Sequence, residues 1–194
     1  FAGELESFLG QNVALYIDDQ LLVGTGLTKF MFGLKTRADV YTAPASGMTD
    51  ASVYDLIPKI AEDIVFGKGS KFRPNVALMN LTEINKYKLK KDANNNYIVP
   101  PFVDRSGNVI DGIVVIENNN VPADEMIVGD SRYGRIYEGA EGYSITVGEV
   151  DAQFAEDLKT MKARKRMNLL IKESEKAGWR KVASIAAALV LLNT

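Results

Sequence analysis

The strongest constraint on the fold is a change in hydrophobic period, from helical spacing early in the chain to alternation in the last third. Within the stretch Lys159 to Lys172, every second residue from Met161 to Ile171 is apolar except Lys165, and most residues between them are polar or basic. A period of two is typical of a strand with one covered face, although this stretch is also rich in helix formers. The alternation therefore predicts a long strand. Its covered face holds Met161, Ala163, Met167, Leu169 and Ile171, and its open face holds Lys162, Arg164, Arg166 and Asn168.

Helical spacing of apolar residues predicts three helices, over residues 4–22, 51–66 and 82–90. The first ends at Gly24-Thr25-Gly26, because glycine tolerates the left-handed conformation at a helix end. Thr49 or Asp50 is expected to cap the second helix, and Pro58 is expected to kink it.

Short apolar runs between turn residues predict strands at residues 75–79, 112–117, 125–129, 134–137 and 143–147. The β-branched run at 112–117 predicts burial on both faces. Residues 27–49 are expected to form a loop with short extended pieces, and residues 179–192 a strand followed by an apolar tail. Early helices and late strands together predict an α+β fold.

The composition excludes several kinds of catalytic and metal-binding site. The chain has 194 residues, enough for one domain or two small intertwined ones, and contains neither cysteine nor histidine. Disulfides, thiolate or imidazole metal sites, thiol nucleophiles and Ser-His-Asp triads are therefore excluded. A carboxylate-based α+β hydrolase stays possible, and it requires a pair such as Asp104 and Asp130 to converge in a pocket. The longest apolar run, Ile185–Leu192, is shorter than the roughly 20 residues that span a bilayer.

Three short motifs are better explained by structure than by ligand binding. Gly24-Thr25-Gly26 lacks the spacing and the lysine of a P-loop. The acidic pairs Asp18-Asp19 and Glu62-Asp63 are adjacent on helices, so their side chains do not face each other. The segment 104–108 lacks the later ligands of a calcium loop and favours a hairpin turn. The sequence thus predicts no catalytic, cofactor-binding or metal-binding residue and no cofactor.

Charge is distributed unevenly, although the net charge is only −2. Residues 138–157 hold six acidic and no basic side chains, and residues 158–181 hold nine basic and two acidic ones. Three accounts stay open: internal ion pairs on a solvated sheet, contact with acidic patches of neighbouring copies, or contact with nucleic acid.

The order of motifs from Asn75 onward carries a resemblance. The most specific passage is Ile127-Val128-Gly129-Asp130 followed by Arg135-Ile136-Tyr137. Four motifs precede it, namely NVALMN at 75–80, LKKDAN at 89–94, GIVV at 112–115 and NNVPA at 119–123. It is followed by Phe154, Thr160 and Arg164-Lys165-Arg166. This order resembles the major capsid proteins of tailed phages with the HK97 fold. Gly24-Thr25-Gly26 fits the glycine motif after that family's spine helix, and Arg164 departs from its frequent glutamate.

The resemblance implies an HK97-like fold with two parts. Residues 1–23 and 134–172 would form the peripheral domain, with the spine helix and the long strands. Residues 24–133 and 173–194 would form the axial domain. The family's N-terminal arm and E-loop precede the spine helix and are missing from this sequence, which starts at Phe1 and is expected to be a fragment. No covalent cross-linking between subunits is therefore expected.

The function implied is that of a structural, non-enzymatic major capsid protein of a phage or prophage, which assembles into an icosahedral shell around double-stranded DNA. An encapsulin-like compartment shell is the alternative. Partners would be other copies in hexamers and pentamers, and indirectly scaffold, portal and DNA, with no membrane. The protein would be assembled in the bacterial cytoplasm and located in the virion, and this fragment alone would be a monomer or small oligomer. Expected inter-subunit contacts are Lys162, Arg164, Arg166, Asp157, Asn94 and Asn95.

Overall fold

The computed structural model describes residues 2–27, 30–67, 71–104, 106–150, 153, 156 and 159–194. The α-helices of these ranges are α1 (Ala2–Val23), α2 (Leu34–Arg37), α3 (Val53–Gly67), α4 (Leu81–Lys88) and α5 (Ile185–Leu192). Their strands are β1 (Asp39–Val40), β2 (Val76–Met79), β3 (Val109–Ile110), β4 (Ile113–Glu117), β5 (Met126–Gly129), β6 (Arg135–Gly148), β7 (Thr160–Leu170) and β8 (Trp179–Val182). Short 3-10 helices lie at Ser131–Tyr133 and Glu173–Gly178. The α+β prediction is confirmed.

Six short strands form one mixed sheet in the order β1-β8-β5-β2-β4-β3. The central strand β2 pairs parallel with β4 and antiparallel with β5, so that Ala77 lies between Val115 and Val128. One face of this sheet packs against α3 and α5. There the main core forms, with these α3 residues completely buried: Leu56, Ile57, Ile60 and Ile64.

Helix α3 follows its predicted apolar spacing but begins differently. Its first residue is Val53, and the Asp55 carboxylate accepts hydrogen bonds of 2.9 Å from both the amide and the hydroxyl of Ser52. The predicted cap at Thr49 or Asp50 was therefore wrong. The helix begins later, and the Asp55 side chain, at the third helical position, accepts the hydrogen bonds of Ser52, the residue before the helix. Pro58 lies inside the helix, which continues to Gly67.

A second, smaller core joins the other face of the sheet to α1, α2 and the end of β7. The end of α1, α2, Trp179 and the residues Leu169 and Ile171 pack together there. This cover does not reach β4, where Val114 and Ile116 are 44% and 45% exposed. The prediction that residues 112–117 are buried on both faces was therefore wrong, because the second core covers only part of the sheet.

The two longest strands form a separate antiparallel hairpin, β6–β7. Strand β7 confirms the predicted long strand and the alternation of its two faces. The strands predicted at 134–137 and 143–147 are parts of β6, interrupted by a bulge between Glu138 and Tyr143. The bulge contains Gly139 and Gly142, and glycines at such spacing are typical of a turn, but the chain continues in the same direction.

Short elements account for the other differences. Residues 27–49 contain α2 and β1, and the apolar tail after β8 is the helix α5, capped by the Ser184 hydroxyl. Gly24 ends α1 as predicted, and a Cβ there would lie 2.4 Å from the carbonyl oxygens of Gln20 and Met31. The turn predicted at 104–108 is closed by a 2.7 Å hydrogen bond from the Gly107 amide to the Asp104 carbonyl. No helix in the described ranges is both long and apolar enough to cross a membrane.

Candidate intersubunit surface

Helix α1 packs against one face of the β6–β7 hairpin. Because β7 alternates, its odd-numbered residues turn toward α1, and the side chains of α1 that meet them include Val13 and Ile17. A cavity of about 440 Å³ lies between the two elements and is also lined by Met31 and Met167. The contact is therefore incomplete, and α1 holds to the hairpin along one face only.

The opposite side of α1 carries two exposed large apolar side chains, Phe8 and Leu15, which are 61% and 67% exposed. The polar residues Gln11 and Asn12 lie between them. Tyr16, which is 55% exposed, lies at the edge of the cavity that faces the hairpin. Phe8 and Leu15 are seven residues apart, which places them on the same side of the helix two turns apart. Two large apolar side chains exposed on one side of a helix indicate a candidate site of contact with another molecule.

The sequence contained a signal for this exposed face that the predicted helix stripe did not use. Leu15, Tyr16 and Ile17 are consecutive, and consecutive helix positions are 100° apart, so they cannot share one narrow face. A helix with apolar residues on two sides needs cover on both sides. The chain supplies one cover, the hairpin, and leaves the other side open.

The open face of β7 carries the expected cations Lys162, Arg164 and Arg166, which all lie on one side of the hairpin and are exposed. Arg164 pairs with Glu141 at 3.1 Å. Within the described part of the chain, Lys162 and Arg166 have no ion-pair partner. The account of internal ion pairs thus explains part of the charge pattern, including the 3.2 Å pair of Lys165 with Glu138, but not these two side chains.

The other expected contact residues lie elsewhere. Asn94 and Asn95 are at the tip of an exposed turn after α4, held by the Asp92 carboxylate, which accepts from the amides of Asn94 and Asn96 at 2.8 Å. Asn95 has a positive φ of 62°, as suits a turn. The flanking side chains Leu89, Tyr97 and Val99 are 63%, 58% and 52% exposed. Asp157 and Phe154 lie outside the described residues.

The hydrogen bonds at Asp92 also affect its charge. The hydrogen bond from the Asn96 amide lowers the pKa of the Asp92 carboxyl most, and burial opposes this effect. The Asn96 side chain and the Asn94 amide lower the pKa further, so that it lies below its usual value.

Asp130, in the most specific motif of the sequence, is fully buried. Its carboxylate accepts from the Arg132 side chain at 2.8 and 2.5 Å and from the Arg73 amide at 2.8 Å. Burial is the largest single influence and opposes ionisation, but these hydrogen bonds outweigh it and lower the pKa of Asp130. Both carboxylate oxygens are occupied, so Asp130 joins the segment before β2 to the end of β5.

The carboxylates that a hydrolase would need, Asp104 and Asp130, do not meet in any of the cavities described. Asp104 lines none of the cavities described, and its carboxylate accepts from the Ser106 hydroxyl. Of the acidic pairs, Glu62 binds Lys59 at 2.9 Å and Asp63 binds Arg180 at 2.6 Å. Among the described residues, no group of three or more acidic side chains is placed to hold a metal ion.

Comparison with known proteins gives the class to which this architecture belongs. The described fold matches chains from a capsid particle and from phages. One is the capsid of an empty GTA particle computed with C5 symmetry, with 17% identity and a TM-score of 0.64 over 94% of this chain and 65% of that one. Others come from Mycobacterium phage Bobi (17% identity, TM-score 0.66, 93% and 64% covered) and Microbacterium phage Oxtober96 (15%, 0.66, 94% and 65%). The fold is thus that of HK97-like capsid proteins.

The family model described as the phage capsid family matches residues 1–177. The chain belongs to the phage capsid family, which is structural and located in the virion capsid. No curated protein matches the sequence. The chain spans just under two thirds of the length of the chains named above, 65% or 64% of each.

Proposed function

We propose that this chain forms the shell of a phage or prophage capsid as its major capsid protein. Copies associate into hexamers and pentamers and close an icosahedral shell around double-stranded DNA, after assembly in the bacterial cytoplasm with scaffold and portal proteins. Family membership and the capsid fold support this proposal. The capsid matches favour it over an encapsulin-like compartment, and the occupied carboxylates disfavour a hydrolase.

The observation that carries the proposal is the pair of large apolar side chains, Phe8 and Leu15, exposed on the side of α1 that the hairpin does not cover. A shell subunit needs surfaces that are covered only after neighbouring copies arrive, and covering apolar area gives association most of its driving force. The turn with Asn94 and Asn95, flanked by exposed Tyr97 and Val99, is a second surface of this kind. We assign both surfaces to contact between copies.

The division into two domains is part of the same proposal. Helix α1 and the hairpin (residues 1–23 and 134–172) would be the peripheral domain, and residues 24–133 and 173–194 the axial domain around the six-stranded sheet. The contacts between α1 and β7, and the separate sheets, support this division. The second core joins the two parts at Leu22, Leu169 and Trp179.

The test is electron microscopy and light scattering of the protein produced from its natural reading frame, with and without the substitutions Phe8→Ser and Leu15→Ser. We expect the unsubstituted protein to form closed shells, or rings of pentamers or hexamers. The double variant should assemble much less while its unfolding transition changes little, because both side chains are exposed in the single chain.

A matched control replaces the exposed apolar residues Phe66 and Val190 of α3 and α5, which are 79% and 65% exposed, by serine. This control should assemble normally. Equal loss in both variants would remove α1 from the proposal. The shell function would be contradicted if the unsubstituted protein stayed monomeric even when its neighbouring genes are co-expressed.

A further inference from the structure

The open face of the β6–β7 hairpin has a chemistry of its own, distinct from the apolar surfaces assigned to contact between copies. Pairing of the strands places Arg135, Tyr137, Ser144 and Thr146 of β6 on the same side as Lys162, Arg164, Arg166, Asn168 and Leu170 of β7. We call these nine residues the basic face. None of them is acidic, four carry a positive charge, and Leu170, at the end of the strand, is the one aliphatic member.

The cations of the basic face form a regular row. Lys162, Arg164 and Arg166 alternate along one strand, so successive side chains leave the backbone about 6.8 Å apart. Gly139 lies against Arg166, where a Cβ would be 3.1 Å from the Arg166 Cβ, so no side chain at this position covers the arginine. Glu141 partly neutralises the row through Arg164. Lys162 and Arg166 have no acidic partner among the described residues.

The other side chains of the basic face favour nucleic acid over protein as the partner. Serine, threonine, asparagine and tyrosine side chains, with arginine and lysine, are the groups that contact the phosphate backbone of DNA. A protein–protein interface has an apolar, well-packed centre, and the centre of the basic face is polar and charged. The apolar surface of the hairpin is on its other side, against α1.

We propose that the basic face binds the phosphate backbone of nucleic acid without reading its sequence. The whole chain has a net charge of −2, so binding depends on this local row and not on the overall charge. The biological setting rests on the proposed function, since DNA inside a shell is the polyanion that a capsid subunit meets. Lys162, Arg164 and Arg166 then contact nucleic acid, and the apolar surfaces of α1 and the turn after α4 contact other copies.

The test measures the fluorescence anisotropy of a short labelled DNA duplex of random sequence, titrated with the chain at several salt concentrations. We expect binding that weakens with salt. The double substitution Lys162→Gln and Arg166→Gln should lower the affinity at low salt on the order of tenfold and reduce the salt slope by about 1.8, because two phosphate contacts are lost.

The matched control is the double substitution Lys90→Gln and Lys91→Gln, which removes the same charge from another exposed segment. It should change the affinity much less. No binding by the unsubstituted chain, or equal losses in the two variants, would overturn the proposal. Unchanged DNA binding with reduced shell assembly in the Lys162/Arg166 variant would also overturn it and would assign the row to contact between copies.

These results separate the two proposals. If the protein from the natural reading frame never assembles but its DNA binding depends on Lys162 and Arg166, the shell function fails and the basic face stands. If shells form and the two double variants bind DNA equally, the shell function stands and the basic face fails.

Discussion

The six-stranded sheet and the β6–β7 hairpin are built by opposite means. The sheet uses strands of two to five residues, and its core contains completely buried residues such as Ile57, Ile60 and Met79. The hairpin uses strands of 14 and 11 residues, and β6 has no buried residue. The difference teaches that the length of regular structure and the completeness of a core are separate properties: the side of the sheet against α3 and α5 is covered within one chain, and the hairpin with α1 is not.

The largest expected effect tests whether the sheet core is as complete as its burial indicates. Replacing Ile60, which is completely buried in α3, by alanine should lower the free energy of unfolding by about 2–5 kcal/mol, because apolar contacts are lost and a cavity is left. Urea unfolding followed by circular dichroism measures this change. Leu15→Ala in α1 is the matched control, and it should change stability by about 0.5 kcal/mol or less because Leu15 is 67% exposed. Equal losses would mean that α1 is as tightly packed as α3.

The sequence predicted the parts of this comparison that depend on local pattern. Alternation along residues 159–172 identified β7 and sorted its two faces, and the spacing of Leu56, Ile57, Ile60 and Ile64 identified α3. Elements of two to four residues, such as β1 and α2, are too short to show any period. The helix α5 consists of eight apolar residues in a row, and a continuous apolar run does not distinguish a helix from a strand.

Exposure was the property that the sequence could not supply. The hydrophobic pattern around an apolar residue such as Val114 or Leu15 is the same whether its side chain is covered by the same chain, by another copy or by nothing. The cations of β7 were placed on the correct face, because alternation fixes the face. Their neighbours were not predictable, since the bulge at Glu138–Tyr143 decides that Glu141 reaches Arg164 while Arg166 faces Gly139.

An intermediate effect is expected at Asp130, which belongs to the finished part of the molecule. Asp130→Asn should lower the free energy of unfolding near neutral pH by about 1–3 kcal/mol, because a buried set of hydrogen bonds from Arg132 and the Arg73 amide loses its charged acceptor. The pKa of Asp130 is lowered in the folded protein. Its contribution is therefore present above the pKa of the unfolded chain and is lost as the pH falls through the lower folded value.

Urea unfolding of both proteins from about pH 7 to about pH 3 checks the Asp130 prediction. The unsubstituted protein should lose stability more steeply than Asp130→Asn, so that the difference between them shrinks in acid. A difference that stays constant with pH would show that the loss comes from packing and not from the charge. Asp92→Asn, at an exposed turn and with a lowered pKa as well, is the control for a carboxylate outside the core.

The smallest expected effect belongs to the unfinished part, at the ion pair between Lys165 and Glu138. These residues are not directly opposite in the hairpin; the pair crosses the bulge, and Glu138 is 54% exposed. A double-mutant cycle with Lys165→Met and Glu138→Gln should give a coupling of about 0.2–1 kcal/mol, because water screens an exposed pair. The coupling should fall further as salt is raised, since mobile ions add to that screening. A larger coupling that resists salt in the single chain would mean that the hairpin already excludes water by itself. The same cycle repeated in assembled shells sharpens the comparison: coupling that increases only on assembly would show that neighbouring copies complete what the six-stranded sheet achieves alone.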